Sequence, residues 1–208
     1  MRQGDEDNRG CAAFSIMRRN ETLIAMALPQ ESRGRLEAAG ANLLYTGVGK
    51  VNAAATLARR LAEIRCAGAP PPLVVNLGTA GSRSFPAHSL VACNRFAQRD
   101  MDVTGLGFPP GVTPFDATPA IIEFPTVFAH LPQTLCSTAD SFATGPHTGD
   151  VVDMEAFALA RVCVAEGTPF ACAKYVTDGA DADSAAHWEA ALDAASRAFA
   201  HLYDALPR

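Results

Sequence analysis

The chain has 208 residues, 49% of them hydrophobic and 19% charged, and 17 Lys and Arg against 22 Asp and Glu leave a formal net charge of -5. That length and balance suit one sizeable globular domain and exclude a disordered chain. The acidic surplus argues against nucleic-acid polymers, which need a basic surface to displace counterions, and no apolar run approaches the ~18–20 residues that span a bilayer.

Residues 1–21 start acidic and hold only a short apolar stretch, unlike the basic start and longer apolar core of a secretory signal. They read as a flexible tail ahead of one domain over 22–208. Residues 22–28 (TLIAMAL) form a short apolar run stopped by Pro29, the pattern of a buried strand. A polar segment then leads into a short helix that ends near Gly40, and 43–46 reads as a second strand. After Gly47-Val48-Gly49, the spacing predicts a helix over 50–65 with basic residues (Arg59, Arg60, Arg65) near its C-terminus.

Pro70, Pro71 and Pro72 break the chain before a third strand, 73–77, expected to end in a Gly-rich turn at 78–82. A fourth strand is expected over 89–96. Residues 99–125, rich in Pro and Gly, read as a long functional loop. Another strand is expected near 133–137, and a helix over 153–166 closed by Gly167 with Pro169 beyond. Residues 170–176 form the last strand, with Thr177 and Asp178 at its end, and 185–205 form the final helix. Strands alternating with helices indicate an α/β domain with a largely parallel sheet.

Several chemistries lose support from the motifs. Gly47-Val48-Gly49-Lys50 lacks the four residues between glycines and the following Ser or Thr of a phosphate loop, and Asn52 stands where a dinucleotide fingerprint needs Gly or Ala. It reads as a plain turn between strand and helix. There is no GxSxG elbow and no HExxH pair. The five histidines and six cysteines show no ligand spacing, so no metal or cofactor is expected, and the thiols are expected to be reduced in a cytoplasmic protein.

What survives is a set of carboxylates at strand ends, where α/β sheets usually place their sites. Glu31 follows the first strand, Asp178 ends the last, and Glu155 opens the 153–166 helix; Thr79 and Ser82 add hydroxyls. Each acid has a bland alternative. Glu155 could simply favour a helix dipole, and Asp178 could cap the turn before Gly179.

Six ordered segments carry a resemblance. Val151-Val152-Asp153-Met154-Glu155-Ala156 resembles the VxMEx signature of the purine nucleoside phosphorylase and nucleosidase superfamily, and Val176-Thr177-Asp178-Gly179-Ala180-Asp181 its acidic segment. Gly47 to Ala54 resembles its GxGK turn and helix, and Asn76-Leu77-Gly78-Thr79-Ala80-Gly81 its NxGxAG segment. Asp102-Val103-Thr104 through Pro114, and Thr138 through Phe142, match two more. Within the superfamily the resemblance is to methylthioadenosine/S-adenosylhomocysteine nucleosidases. It implies a three-layer α/β/α domain around a mixed, mostly parallel sheet.

For the site, the resemblance implies that Asp178 meets purine N7, with Thr177 beside it. Glu155 and Met154 would contact the ribose, Phe142 would stack on the base, and the Ala143 backbone would read the base edge. Glu31 would activate water near Thr79. Leu106, Phe108 and Pro114 would form an apolar loop over a neighbouring subunit's 5′-pocket, so a homodimer is expected. The chain departs from the pattern at Lys174, where nucleosidases carry an Arg that steers the water-activating Glu. The shortness of the segment between Phe142 and Met154 implies a more open pocket.

The chemistry suits these residue types. Cleaving an N-glycosidic bond needs a proton at N7, which a desolvated Asp178 could supply, and an ionised Glu155 on the sugar hydroxyls as positive charge grows. Phosphorolysis would need cationic forks for phosphate. Asn76 stands where the superfamily's phosphorylases carry Arg, which favours water, whereas Arg33 and Arg35 near the first strand keep phosphorolysis open as the runner-up. A nucleoside-binding member without catalysis is the third reading. The expected substrate is a small purine nucleoside with an apolar or thioether 5′-substituent.

Overall fold

The computed structural model describes residues 18–142, 149–180 and 184–207, and no side chains of 184–186. Eight strands and five helices follow one another as β1 (Thr22–Met26), α1 (Pro29–Ser32), α2 (Arg35–Ala38), β2 (Leu43–Tyr45), α3 (Lys50–Cys66), β3 (Leu73–Gly81), β4 (Leu90–Gln98), β5 (Ile121–Glu123), β6 (Gln133–Thr138), β7 (Val151–Asp153), α4 (Ala156–Ala165), β8 (Phe170–Asp178) and α5 (Ser184–Asp204).

The sheet is mixed. β1 lies parallel between β2 and β3, and β3 runs parallel to β8 from Val74 to Gly81. β8 is antiparallel to β4, which is parallel to β6 and antiparallel to β5. β6 runs parallel to β7, and β7 returns to β3 through Val152 opposite Gly81. Strands β3, β8, β4, β6 and β7 therefore close a ring, with β1 and β2 extending it from β3.

Side-chain alternation sorts the strands onto two cores. Leu23, Val74, Phe170 and Cys172 face α3 and α4 with Leu57, Leu61 and Leu159. Ile24, Met26, Val75, Leu77 and Ala173 face α2 and α5 with Leu36, Ala195 and Phe199. These are the two helical layers and the central sheet expected from the sequence. β8 is buried along its whole length, as a strand covered on both faces must be.

Three local expectations need correction. The stretch 78–82 is not a turn: β3 continues through Gly81 in register with β8. Its glycines make room instead, because a Cβ at Gly81 would lie 2.7 Å from Asp178 Oδ1. The helix expected to open at residue 153 is preceded by β7 and starts at Ala156. The 99–125 segment is not all loop; it contains a 3-10 turn at Thr104–Leu106 and the edge strand β5. At the N-terminal side, a 3-10 turn at Arg19–Glu21 docks on the C-terminal helix, with the Arg19 guanidinium 4.9 Å from the centre of the Tyr203 ring. No described helix is long and apolar enough to cross a membrane.

Candidate active site

The C-terminal ends of β1, β3 and β8, with the β7–α4 junction, open on one cleft of about 250 Å³. Glu31, Thr79, Phe142, Met154, Glu155, Thr177 and Asp178 all line it, so these expected site residues are brought together. Ala27, Leu28, Val48, Arg99, Ser141, Asp153 and Trp188 line it as well.

Glu31 sits in the first turn of α1, which Pro29 starts by fixing a helical φ. Its Oε2 accepts the Leu28 N–H at 3.2 Å, and its Oε1 accepts both the N–H and the hydroxyl of Thr79 at 2.9 Å each. The carboxylate is only 3% exposed. Three donors on a buried carboxylate offset the desolvation of its charge and fix its plane.

Glu155 stands at the α4 N-terminus, buried, with Oε1 accepting the Gly49 N–H at 2.9 Å. Gly49 has φ 93, which only glycine adopts without strain, so the turn that failed as a phosphate loop serves here as a backbone donor to a carboxylate. Burial pushes the Glu155 carboxyl up to about 7, helped by the charge of Asp153 and opposed by Lys174 and the Gly49 N–H. Asp178 accepts the Thr177 hydroxyl at 2.6 Å on Oδ2 and the Ala180 N–H at 2.9 Å on Oδ1. Thr177 thus orients Asp178 as well as lining the cleft.

Lys174 does not belong to the cleft wall. It is buried behind it, its Nζ 2.8 Å from Asp153 Oδ2. Asp153 also accepts the Thr138 hydroxyl at 2.6 Å and the Ala156 N–H at 2.8 Å, which caps α4. Burial opposes charge on both partners. The pairing outweighs it, holding the Asp153 carboxyl below its ordinary range and the Lys174 ammonium well above its own. Gly78 shows where Lys174 also points: a Cβ there would meet Lys174 Nζ at 3.3 Å and Glu31 Oε1 at 3.4 Å. The ammonium therefore approaches the same point as the Glu31 carboxylate.

Other cations near the cleft already have partners. Arg99 donates to the Ser141 hydroxyl at 3.2 Å and carbonyl at 2.5 Å, holding the chain just before Phe142. Lys50 pairs with Asp100 at 2.5 Å, while its N–H donates to Asp140 at 2.7 Å. Arg35 reaches outward to Asp193 at 2.8 Å and Ser196 at 2.9 Å, with Arg33 beside it 3.8 Å from Asp193. Neither lines the cleft. Asn76 is spent inside the sheet, donating to the Ala25 carbonyl at 3.0 Å.

Leu106, Phe108 and Pro114 are not brought to the cleft of their own chain. Leu106 is 75% exposed and Phe115, packed edge-on against Phe108, is 99% exposed, while Phe108 and Pro114 are half-buried. Ala143 lies outside the described residues. Sequence reasoning missed Arg99, Asp153 and Trp188. The last had one available signal, as the chain's single tryptophan. Among the described residues, no group of three or more His, Cys, Asp or Glu side chains could hold a metal ion.

The family model described as Phosphorylase superfamily matches residues 31–207, which span every element from α1 to α5. The chain belongs to this superfamily. A 5′-methylthioadenosine/S-adenosylhomocysteine nucleosidase of Geobacillus kaustophilus is 33% identical over 205 residues, covering 88% of this chain and 84% of the relative. Among solved structures, a futalosine hydrolase mutant of Helicobacter pylori superposes with a TM-score of 0.76 at 19% identity, covering 88% of this chain and 96% of that one. The 5′-methylthioadenosine/S-adenosylhomocysteine nucleosidase of the same organism gives 0.75 at 19%, covering 88% and 95%. At such identities these two structures speak for the fold. This superfamily member thus carries the resemblance read from its six segments.

Proposed function

We propose that the protein hydrolyses the N-glycosidic bond of an adenine nucleoside with an apolar or thioether 5′-substituent, of the methylthioadenosine or adenosylhomocysteine kind. The observation that carries this reading is the meeting of Glu31, Glu155 and Asp178 on one cleft, near which the described Lys50 and Lys174 are paired with carboxylates and Arg99 donates to Ser141. A phosphate dianion would need Arg or Lys donors aimed at it. Water needs only a base, and Glu31 is held as one by three donors.

In this mechanism Asp178 delivers the proton that lets the purine leave as a neutral base. Thr177 fixes the carboxyl for that transfer. Glu155 accepts hydrogen bonds from the ribose hydroxyls, and its negative charge stabilises the oxocarbenium-like sugar. Met154 packs under the ribose and Phe142 stacks on the base, with the Ala143 backbone reading the base edge. Glu31 takes a proton from water on the opposite face. Lys174 acts from behind, its charge steadying both Asp153 and Glu31.

We read the molecule as a cytoplasmic homodimer in which Leu106, Phe108 and Pro114 close over the partner's 5′-pocket. The exposure of Leu106 supports this, and the five described free thiols suit a reducing compartment.

The decisive assay follows base release from methylthioadenosine, adenosylhomocysteine and inosine, with and without phosphate. Release from the first two without phosphate is expected, and strict phosphate dependence would turn the assignment to phosphorolysis. Asp178→Asn should lower turnover by at least ~10²-fold with nucleoside binding partly retained. Near-normal turnover of that variant would remove Asp178 from its role.

A further inference from the structure

Trp188 stands in the first turns of α5, half-buried, on the wall of the cleft. Its indole N–H donates to Thr79 Oγ1 at 2.9 Å. The same hydroxyl lies 2.9 Å from Glu31 Oε1. Chain separation makes this contact non-local: Trp188 and Thr79 are 109 residues apart.

The donor inventory decides what this contact does. An indole N–H can only donate, and a threonine hydroxyl has one proton and two lone pairs. With Trp188 filling a lone pair, the Thr79 proton has no acceptor in the indole and is directed to Glu31 Oε1. Glu31 then holds two donors on Oε1, from the Thr79 N–H and hydroxyl, and one on Oε2, from Leu28. A carboxylate offers about four lone-pair sites. One remains, on Oε2, for the water that Glu31 is to activate.

We infer that Trp188 is a positioning residue for the water-activating base, acting through the Thr79 hydroxyl, and not only an apolar wall of the cleft. The inference rests on the hydrolytic reading given above. Trp188→Phe keeps an aromatic ring and removes the N–H. The Thr79 hydroxyl can then swing away from Glu31, and the base loses its fixed plane when bond cleavage requires it.

The test is a double-mutant cycle of Trp188→Phe and Thr79→Val, with adenine release from methylthioadenosine as the assay. In the wild-type background, Trp188→Phe should lower kcat about tenfold and leave KM within about twofold. In the Thr79→Val background the same change should alter kcat by no more than about twofold, because the intermediary is already gone. Because the tryptophan is unique, a ¹⁵N-labelled sample has one indole N–H resonance, which Thr79→Val should move.

A raised KM at unchanged kcat, or an equal loss of kcat in both backgrounds, would make Trp188 a packing residue and overturn the relay alone. So would an indole resonance that ignores Thr79→Val. Wild-type protein that releases no base from any of the three nucleosides is a separate outcome: it would overturn the hydrolytic reading and, with it, any catalytic role for the relay.

Discussion

Burying a carboxylate at position 155 beside the charge of Asp153 works against the fold, a cost that its proposed role at the ribose would explain. The folded chain holds the Glu155 proton up to about 7, whereas a free glutamate releases it near 4.5. Between these values folding binds a proton, so this group's contribution to stability falls as pH rises through the window. The penalty at full ionisation is on the order of 3 kcal/mol. Glu155→Gln should therefore melt at a higher temperature than the wild type at pH 8 and at nearly the same temperature at pH 4. Thermal scans at both values check this, and equal melting at pH 8 would remove the penalty. In the proposed mechanism the same group must be ionised to stabilise positive charge on the sugar. In the wild type, kcat/KM should fall on the acid side with an apparent midpoint near 7.

At the scale of elements, β8 carries both the carboxyl of Asp178 and the ammonium of Lys174, four residues apart on a strand buried throughout, with a register shift against β3 between them. Lys174 joins β8 to β7 through Asp153, and through Asp153 it reaches the capped start of α4, where Glu155 stands. Lys174→Met would leave Asp153 buried without its counter-ion. Loss of one partner of a buried pair commonly costs ~3–5 kcal/mol, so this variant should unfold at clearly lower denaturant in equilibrium titrations. Lys174→Arg should keep most of that stability.

The elements also show what was legible in the sequence. β1, α3 and β8 could be read because apolar runs and a long Ala- and Leu-rich stretch suit only strands and a helix. β7 could not, being three residues long and run into the start of a helix. Gly78 and Gly81 misled because glycine signals a turn and also clears space, and only the neighbours Lys174 and Asp178 show which applies. Glu31, Glu155 and Asp178 were visible as acids at strand ends, but their grouping came from a family pattern. Trp188 stood out only as the single tryptophan, and its role was not legible because its partner lies 109 residues away in the chain. Lys174 was legible only as a departure from the family's Arg, since family position does not reveal which way a buried side chain turns.

At the scale of the whole molecule, Leu106 and Phe115 expose large apolar side chains on the segment between β4 and β5. A cleft completed by a second copy would account for them. Leu106→Asp combined with Phe115→Asp should shift the protein from dimer to monomer in sedimentation velocity and lower activity on methylthioadenosine at least tenfold. A wild-type protein that sediments as a fully active monomer would end the dimer reading.

The ring of five strands has a consequence for how the protein is made. β8 follows every other described strand in the chain, yet it occupies the place between β3 and β4. Until it emerges, two long apolar strands face one another across a gap and present unpaired edges. Asp178, the proposed acid, arrives with the same strand, so assembly of the core and completion of the cleft coincide. Folding with this topology is expected to be slow, because its decisive pairings are distant in sequence.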